Sequence, residues 1–133
     1  MRRPFLVFMG GGIGSALRAL LVTWLLPWGS VASVALANLV GSFVLGMVYV
    51  LADEAELLQP ETRLFLAVGV LGGFTTFSTF GWGADILLTQ RHPGMALLYL
   101  GVSIVGGVLA VAAGFVVGRN VGAWLSGWAH SRQ

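Results

Sequence analysis

The stretch GVLGGFTTFSTFG, residues 69–81, holds an adjacent glycine pair, then threonines and a serine interleaved with phenylalanines. The charge-free window around it, 64–84, would span about 31 Å as a continuous helix, matching a hydrocarbon core about 30 Å thick. Gly72 to Thr75 fall near the middle of that window, at the bilayer midplane. Two glycines there favour an interrupted helix, and a threonine after the break can cap a restarted one. Unwound backbone at that depth is tolerated only where it is buried in protein or lines a cavity. The reading is therefore a membrane-spanning helix broken at its centre.

The rest of the chain supports a membrane setting. Of its 133 residues, 57% are apolar and only 9% charged, with 20 glycines. An ordinary globular domain carries about 25% charged residues. All seven basic residues are arginine, and most charges cluster between Asp53 and Arg63 or near the ends. Two further charge-free windows, 19–52 and 92–118, flank the first, and Pro27-Trp28-Gly29-Ser30 divides the longer one. Four spans fit, at about 4–26, 31–52, 64–88 and 94–118, in a single four-helix membrane domain. Arg2-Arg3 before an apolar run resembles a signal peptide, but the run is too long and lacks a small-residue cleavage site before Pro27. A net charge of +2 is too small to imply a nucleic-acid partner, and the lack of cysteine excludes thiolate chemistry.

Four spans place both termini and the 53–63 connection on one face. Arg2, Arg3, Arg63, Arg119 and Arg132 share it, so the positive-inside rule favours cytoplasmic termini. The tail beyond 118, with Trp124, Trp128 and His130, reads as a continuing helix or an interfacial segment. Trp24, Trp28 and Trp82 lie where indoles mark an interface. Small residues recur at four-residue spacing: Gly10 and Gly14; Asn38, Ser42 and Gly46; Gly69 and Gly73; Gly106, Ala110, Gly114 and Gly118. In lipid, helices associate by close backbone approach, so most of these glycines are packing positions. Four short spans enclose little interior, which points to an oligomer.

Several polar residues lie within the spans. Arg18 either snorkels to an interface or serves as a fixed charge that attracts anions near one mouth. Asn38 needs hydrogen-bond partners in a low dielectric; an inter-helix bond is the favoured reading, and a donor facing a pore is the alternative. After the glycines, Phe74, Phe77 and Phe80 recur every three residues, with Thr75, Ser78 and Thr79 between them. One surface thus offers ring edges, which are positive, and an adjacent one offers hydroxyls. Freed carbonyls can hold a cation, and a helix N-terminus favours an anion. Tyr99 and Ser103 are hydroxyl donors four apart in the fourth span; packing readings are interface anchoring and a back-bond to the preceding turn. Together these features argue for an ion path. The glycine-rich GGGIGSALRAL (10–20) does not make a nucleotide loop: no strand precedes it and no Lys-Ser/Thr follows. His92 and His130 have no metal-ligand pattern around them.

GGFTTFSTF (72–80), with GGGIGSALR at the start and ANLVGSFVLG in the second span, resembles the small bacterial Fluc (CrcB-type) fluoride channels. The resemblance covers the whole chain, and the 72–80 motif is its most specific part. It implies a dual-topology, antiparallel dimer of four-helix subunits in the bacterial inner membrane, with two narrow pores. A structural sodium ion at the dimer centre would be held by the backbone carbonyls of Gly72 and Thr75. Phe77 and Phe80 would line the fluoride path with Asn38 and a hydroxyl track of Ser78, Thr79, Tyr99 and Ser103. Arg18 matches the first-span arginine and would sit in an anion vestibule. The partner would be a second copy or, alternatively, an oppositely oriented homologue. The implied activity is passive fluoride export that relieves fluoride toxicity.

The physical logic agrees. Fluoride is small and strongly hydrated, so dehydration in a low dielectric requires replacement donors. Among the acids only Asp85 lies within a span, near its end, so nothing repels the anion or couples it to protons. A small exporter of cationic drugs would need an intramembrane acid in its first span, and there is none. A purely structural membrane protein would explain the glycine stripes but not Thr75 to Phe80. No acid–base or nucleophile–base pair suggests an enzyme.

Overall fold

The computed structural model describes residues 2–130, with side chains through Gly127. Arg132 and the side chains of Trp128 and His130 lie outside the described residues. Four helical rods, each long and apolar enough to cross a membrane, make up the chain. The first is α1 (Arg2–Leu25), followed by a 3₁₀ turn at Leu26–Trp28. The second, α2 (Ser30–Tyr49), runs on as wider turns through Val50–Glu54. The third has two pieces, α3 (60–74) and α4 (Phe77–Thr89). The fourth, α5 (Pro93–His130), is one helix of 38 residues.

The local sequence accounts for the ends. Pro27 and Pro60 each open a helical turn, where a missing N–H costs nothing. Gly29 separates α1 from α2 at φ 103°, a conformation open to glycine. Beyond Thr89, Arg91 takes φ 59°, and Pro93 begins α5. The fourth helix continues straight through the region where the sequence left open an interfacial segment.

The rods associate through the small-residue positions. α1 packs chiefly on α3, and α2 chiefly on α5. A Cβ on Gly10 would lie 2.7 Å from the Phe65 carbonyl oxygen and 2.9 Å from the Gly69 Cα. One on Gly114 would strike the Phe43 carbonyl, and one on Gly46 the Val111 carbonyl. Bare Cα atoms thus let backbones touch, which is how helices gain contact where lipid supplies no hydrophobic drive. At one end of the bundle, Arg119 forks onto Glu54 at 2.8 and 3.0 Å, and Arg63 meets Asp53 at 3.0 Å. These exposed pairs link the start of α3 and the far part of α5 to the end of α2, and solvent screening keeps their contribution small.

Candidate functional site

The third rod is interrupted, but not at its glycines. Gly72 keeps helical angles of φ −62° and ψ −36°. The chain leaves the helix at Thr75 (φ −79°, ψ 157°) and Thr76 (φ −150°, ψ 122°). The expected glycine break is therefore corrected to the two threonines that follow. Their β-branched side chains suit extended backbone. Gly73 serves packing instead. A Cβ there would collide with the Gly11 carbonyl, so its absence lets α3 lie against α1.

Thr76 is the hub of the break. Its hydroxyl caps α4 by accepting the Thr79 N–H at 3.3 Å, and it donates to Thr79 Oγ1 at 3.1 Å. Ser78 Oγ lies 3.2 Å from the same oxygen. From α2, Asn38 holds the Thr76 backbone on both sides: Nδ2 donates to its carbonyl at 3.0 Å, and its N–H donates to Oδ1 at 2.8 Å. The favoured inter-helix reading of Asn38 describes this contact.

These bonds redirect the helical ladder. In a continuous helix the Thr76 N–H would reach the Gly72 carbonyl, and the Thr79 N–H the Thr75 carbonyl. Here the first goes to Asn38 and the second to the Thr76 hydroxyl. The carbonyls of Gly72 and Thr75 thereby lose their ladder donors. The Gly73 carbonyl accepts instead from Ser15 Oγ at 3.4 Å. On the other side of the break, the first amides of α4 have no intrahelical acceptor.

Two cavities meet at Thr76. The larger, about 330 Å³, is lined by Asn38, Ser42, Thr75, Thr76, Phe77, Phe80 and Ser103 among others. The second, about 220 Å³, lies toward α1 and is lined by Ser15, Arg18, Thr76 and Thr79 with apolar neighbours. Asn38, Phe77, Phe80 and Ser103 therefore come together, while Arg18 and Thr79 share the other side. Ser78 is exposed and joins the site through Thr76, and Gly72 lies exposed on the outer face of α3.

The two phenylalanines differ. Phe77 is 83% exposed and Phe80 is 7% exposed, with ring centroids 5.5 Å apart. Phe80 in turn tilts against Tyr99 at 5.2 Å. The Tyr99 hydroxyl and Ser103 Oγ are buried and, among the described residues, have no hydrogen-bond partner. Ser42, expected only as part of a small-residue stripe, lines the cavity, and the expected threonine cap after the break falls on Thr76. Nothing local in the sequence marks Ser42 as facing a cavity.

The bundle and its interrupted third rod define a small multi-pass membrane protein with a break inside its third apolar rod. Residues 5–115 match the family described as CrcB-like protein, Camphor Resistance (CrcB). A curated protein named Fluoride-specific ion channel FluC from Leptospira interrogans serogroup Icterohaemorrhagiae serovar copenhageni is 40% identical over 122 residues, covering 86% of this chain and 93% of its own. Proteins of the same name from Agrobacterium fabrum and Thermus thermophilus are each 41% identical. The first alignment spans 87% of this chain and 95% of the relative, the second 89% and 94%. The chain belongs to the CrcB-like family. Its relatives are named as ion channels, not as enzymes.

Proposed function

We propose that this chain is the subunit of a passive, fluoride-selective channel of the bacterial inner membrane that lets fluoride leave the cytoplasm down its electrochemical gradient. The observation that carries this reading is the cavity at the break. It gathers the Asn38 amide, the Thr75 and Thr76 region, two phenylalanine rings and a Ser103 hydroxyl without a partner. No carboxylate is among its lining residues. An unpartnered buried donor is costly unless something accepts from it, and a dehydrated anion accepts. Ring edges supply further positive potential. The names of the relatives supply the ion.

In this reading Arg18 and Thr79 draw the anion into the cavity beside α1, and Thr76 separates that vestibule from the path of Asn38, Phe77, Phe80 and Ser103. Ser78 and Tyr99 extend the hydroxyl track. Two copies pair antiparallel, each contributing to two pores; a heterodimer with an oppositely oriented homologue would serve the same geometry. The outward Phe77 ring and the bare face at Gly72 support pairing there. The carbonyls of Gly72 and Thr75 fit a structural sodium ion, because both have lost their ladder donors. Among the described residues no cluster of His, Cys, Asp or Glu offers a metal an alternative. A hard monovalent cation suits such carbonyl oxygens.

The test is efflux from sealed proteoliposomes containing the purified chain. Fluoride leaves with an electrogenic signature, and chloride under the same gradient stays. Absence of fluoride flux, or chloride flux of equal size, would overturn the reading.

A further inference from the structure

Gly41 lies on α2 one turn beyond Asn38, so the two share a face. It is buried, and a Cβ built on it would collide with the Thr75 Cγ2 methyl and lie 3.2 Å from Phe74 Cδ1. The nearest obstacle is therefore a side-chain methyl on the break itself, unlike the backbone obstacles at Gly10, Gly46 and Gly114.

That methyl is not free to turn away. Thr75 Oγ1 donates to the Leu71 carbonyl at 3.0 Å. This bond to the residue four back selects one χ1 rotamer, and in that rotamer Cγ2 faces Gly41. Any side chain at position 41 must then either break the Thr75–Leu71 bond or push α2 off the break. Moving α2 moves Asn38, whose two bonds to Thr76 direct the Thr76 N–H away from the Gly72 carbonyl.

We infer that Gly41 is a positioning residue: its missing Cβ is the seat for the Thr75 methyl, and that seat sets the distance at which Asn38 clamps Thr76. The inference deepens the channel reading, since the clamp lies at the proposed ion path, but its geometry does not depend on which ion passes.

The test is a set of compensating substitutions with two readouts: fluoride efflux, and hydrogen exchange of the Thr76 amide measured on segment 75–79 in the purified protein. Gly41→Ala speeds exchange of that amide and lowers efflux by at least about tenfold, the scale of a small misplacement at a site. Thr75→Ser removes Cγ2 but keeps Oγ1 and the backbone, and its own exchange and efflux set the reference for the double variant. Combined with Gly41→Ala it restores slow exchange and brings efflux back to within about threefold of Thr75→Ser alone. Thr75→Val keeps a methyl and loses the hydroxyl, so Gly41→Ala/Thr75→Val is not rescued. If Gly41→Ala prevents assembly, recovery of assembled protein by Thr75→Ser and not by Thr75→Val reads the same relationship. Parent-like exchange in Gly41→Ala, or a double variant no better than the single one, overturns the inference. Protected and rescued exchange in a protein that passes no fluoride would leave Gly41 in this role and reject the channel reading instead.

Discussion

Asn38 grips Thr76 through both groups of its backbone, giving a hydrogen bond to the carbonyl and taking one from the N–H. One side chain on α2 thus satisfies the Thr76 N–H, which the interrupted helix would otherwise leave open, and adds a second donor to the carbonyl that begins α4. Asn38→Ala strips both at once. The Thr76 N–H left unmet costs about 1–3 kcal/mol, so thermal melting of the purified protein should show a loss of stability together with loss of efflux. Asn38→Asp keeps an acceptor for the Thr76 N–H but sets a carboxylate against the Thr76 carbonyl and beside the path. It should abolish fluoride flux even where folded protein is recovered. An active Asn38→Asp channel would place the anion elsewhere.

The unequal exposure of the two rings separates their roles. Phe80 is packed between Phe77 and Tyr99, whereas Phe77 is almost bare within one subunit. Phe80→Ala opens a void and should destabilise the fold through lost contacts rather than lost dehydration in a lipid setting. Phe77→Leu should leave the subunit fold intact and cut efflux. Melting curves and flux on the two variants check this; equal destabilisation by both would contradict the asymmetry.

Removing a hydroxyl normally removes a hydrogen bond, but Ser103 Oγ and the Tyr99 hydroxyl have none to lose. Ser103→Ala and Tyr99→Phe should therefore melt no earlier than the parent, and slightly later if the cost of an unmet donor is relieved. Both should nevertheless conduct fluoride more slowly. A drop in melting temperature without a change in flux would mark these hydroxyls as structural.

The released carbonyls of Gly72 and Thr75 predict a cation dependence. Exchanging sodium for a bulky organic cation should weaken subunit association, read as monomer appearing on size-exclusion chromatography at low protein concentration. Side-chain substitution at Thr75 should spare that dependence, because the oxygens are backbone. Association insensitive to sodium would reject the ion.

How far the residues announced this architecture varies with the physics involved. The four rods follow from where charges are missing, because a charge inside hydrocarbon is expensive. The pairs Gly10 with Gly69 and Gly46 with Gly114 follow from small-residue spacing, though the spacing does not say which helix answers which. The break falls just after the glycines rather than on them: Gly69 and Gly73 lie against the α1 backbone, while Asn38 and the Thr76 hydroxyl serve the amides opened at the threonines. The Asn38–Thr76 clamp joins residues far apart in the chain and has no local signal. The division of hydroxyls between two cavities depends on how α4 is rotated after the break, which Thr76 and Asn38 decide jointly.

The last helix has a consequence of its own. A rod of 38 residues measures about 57 Å, nearly twice the hydrocarbon thickness. Its far part meets the end of α2 at Arg119 on Glu54 and at Gly122 beside Ala55, and continues as helix beyond them, a mast at one end of the rod. In an antiparallel pair each side of the membrane would carry one mast. A protease site added after residue 127 would then be half-cleaved from outside a sealed vesicle and completed only once the vesicle is opened.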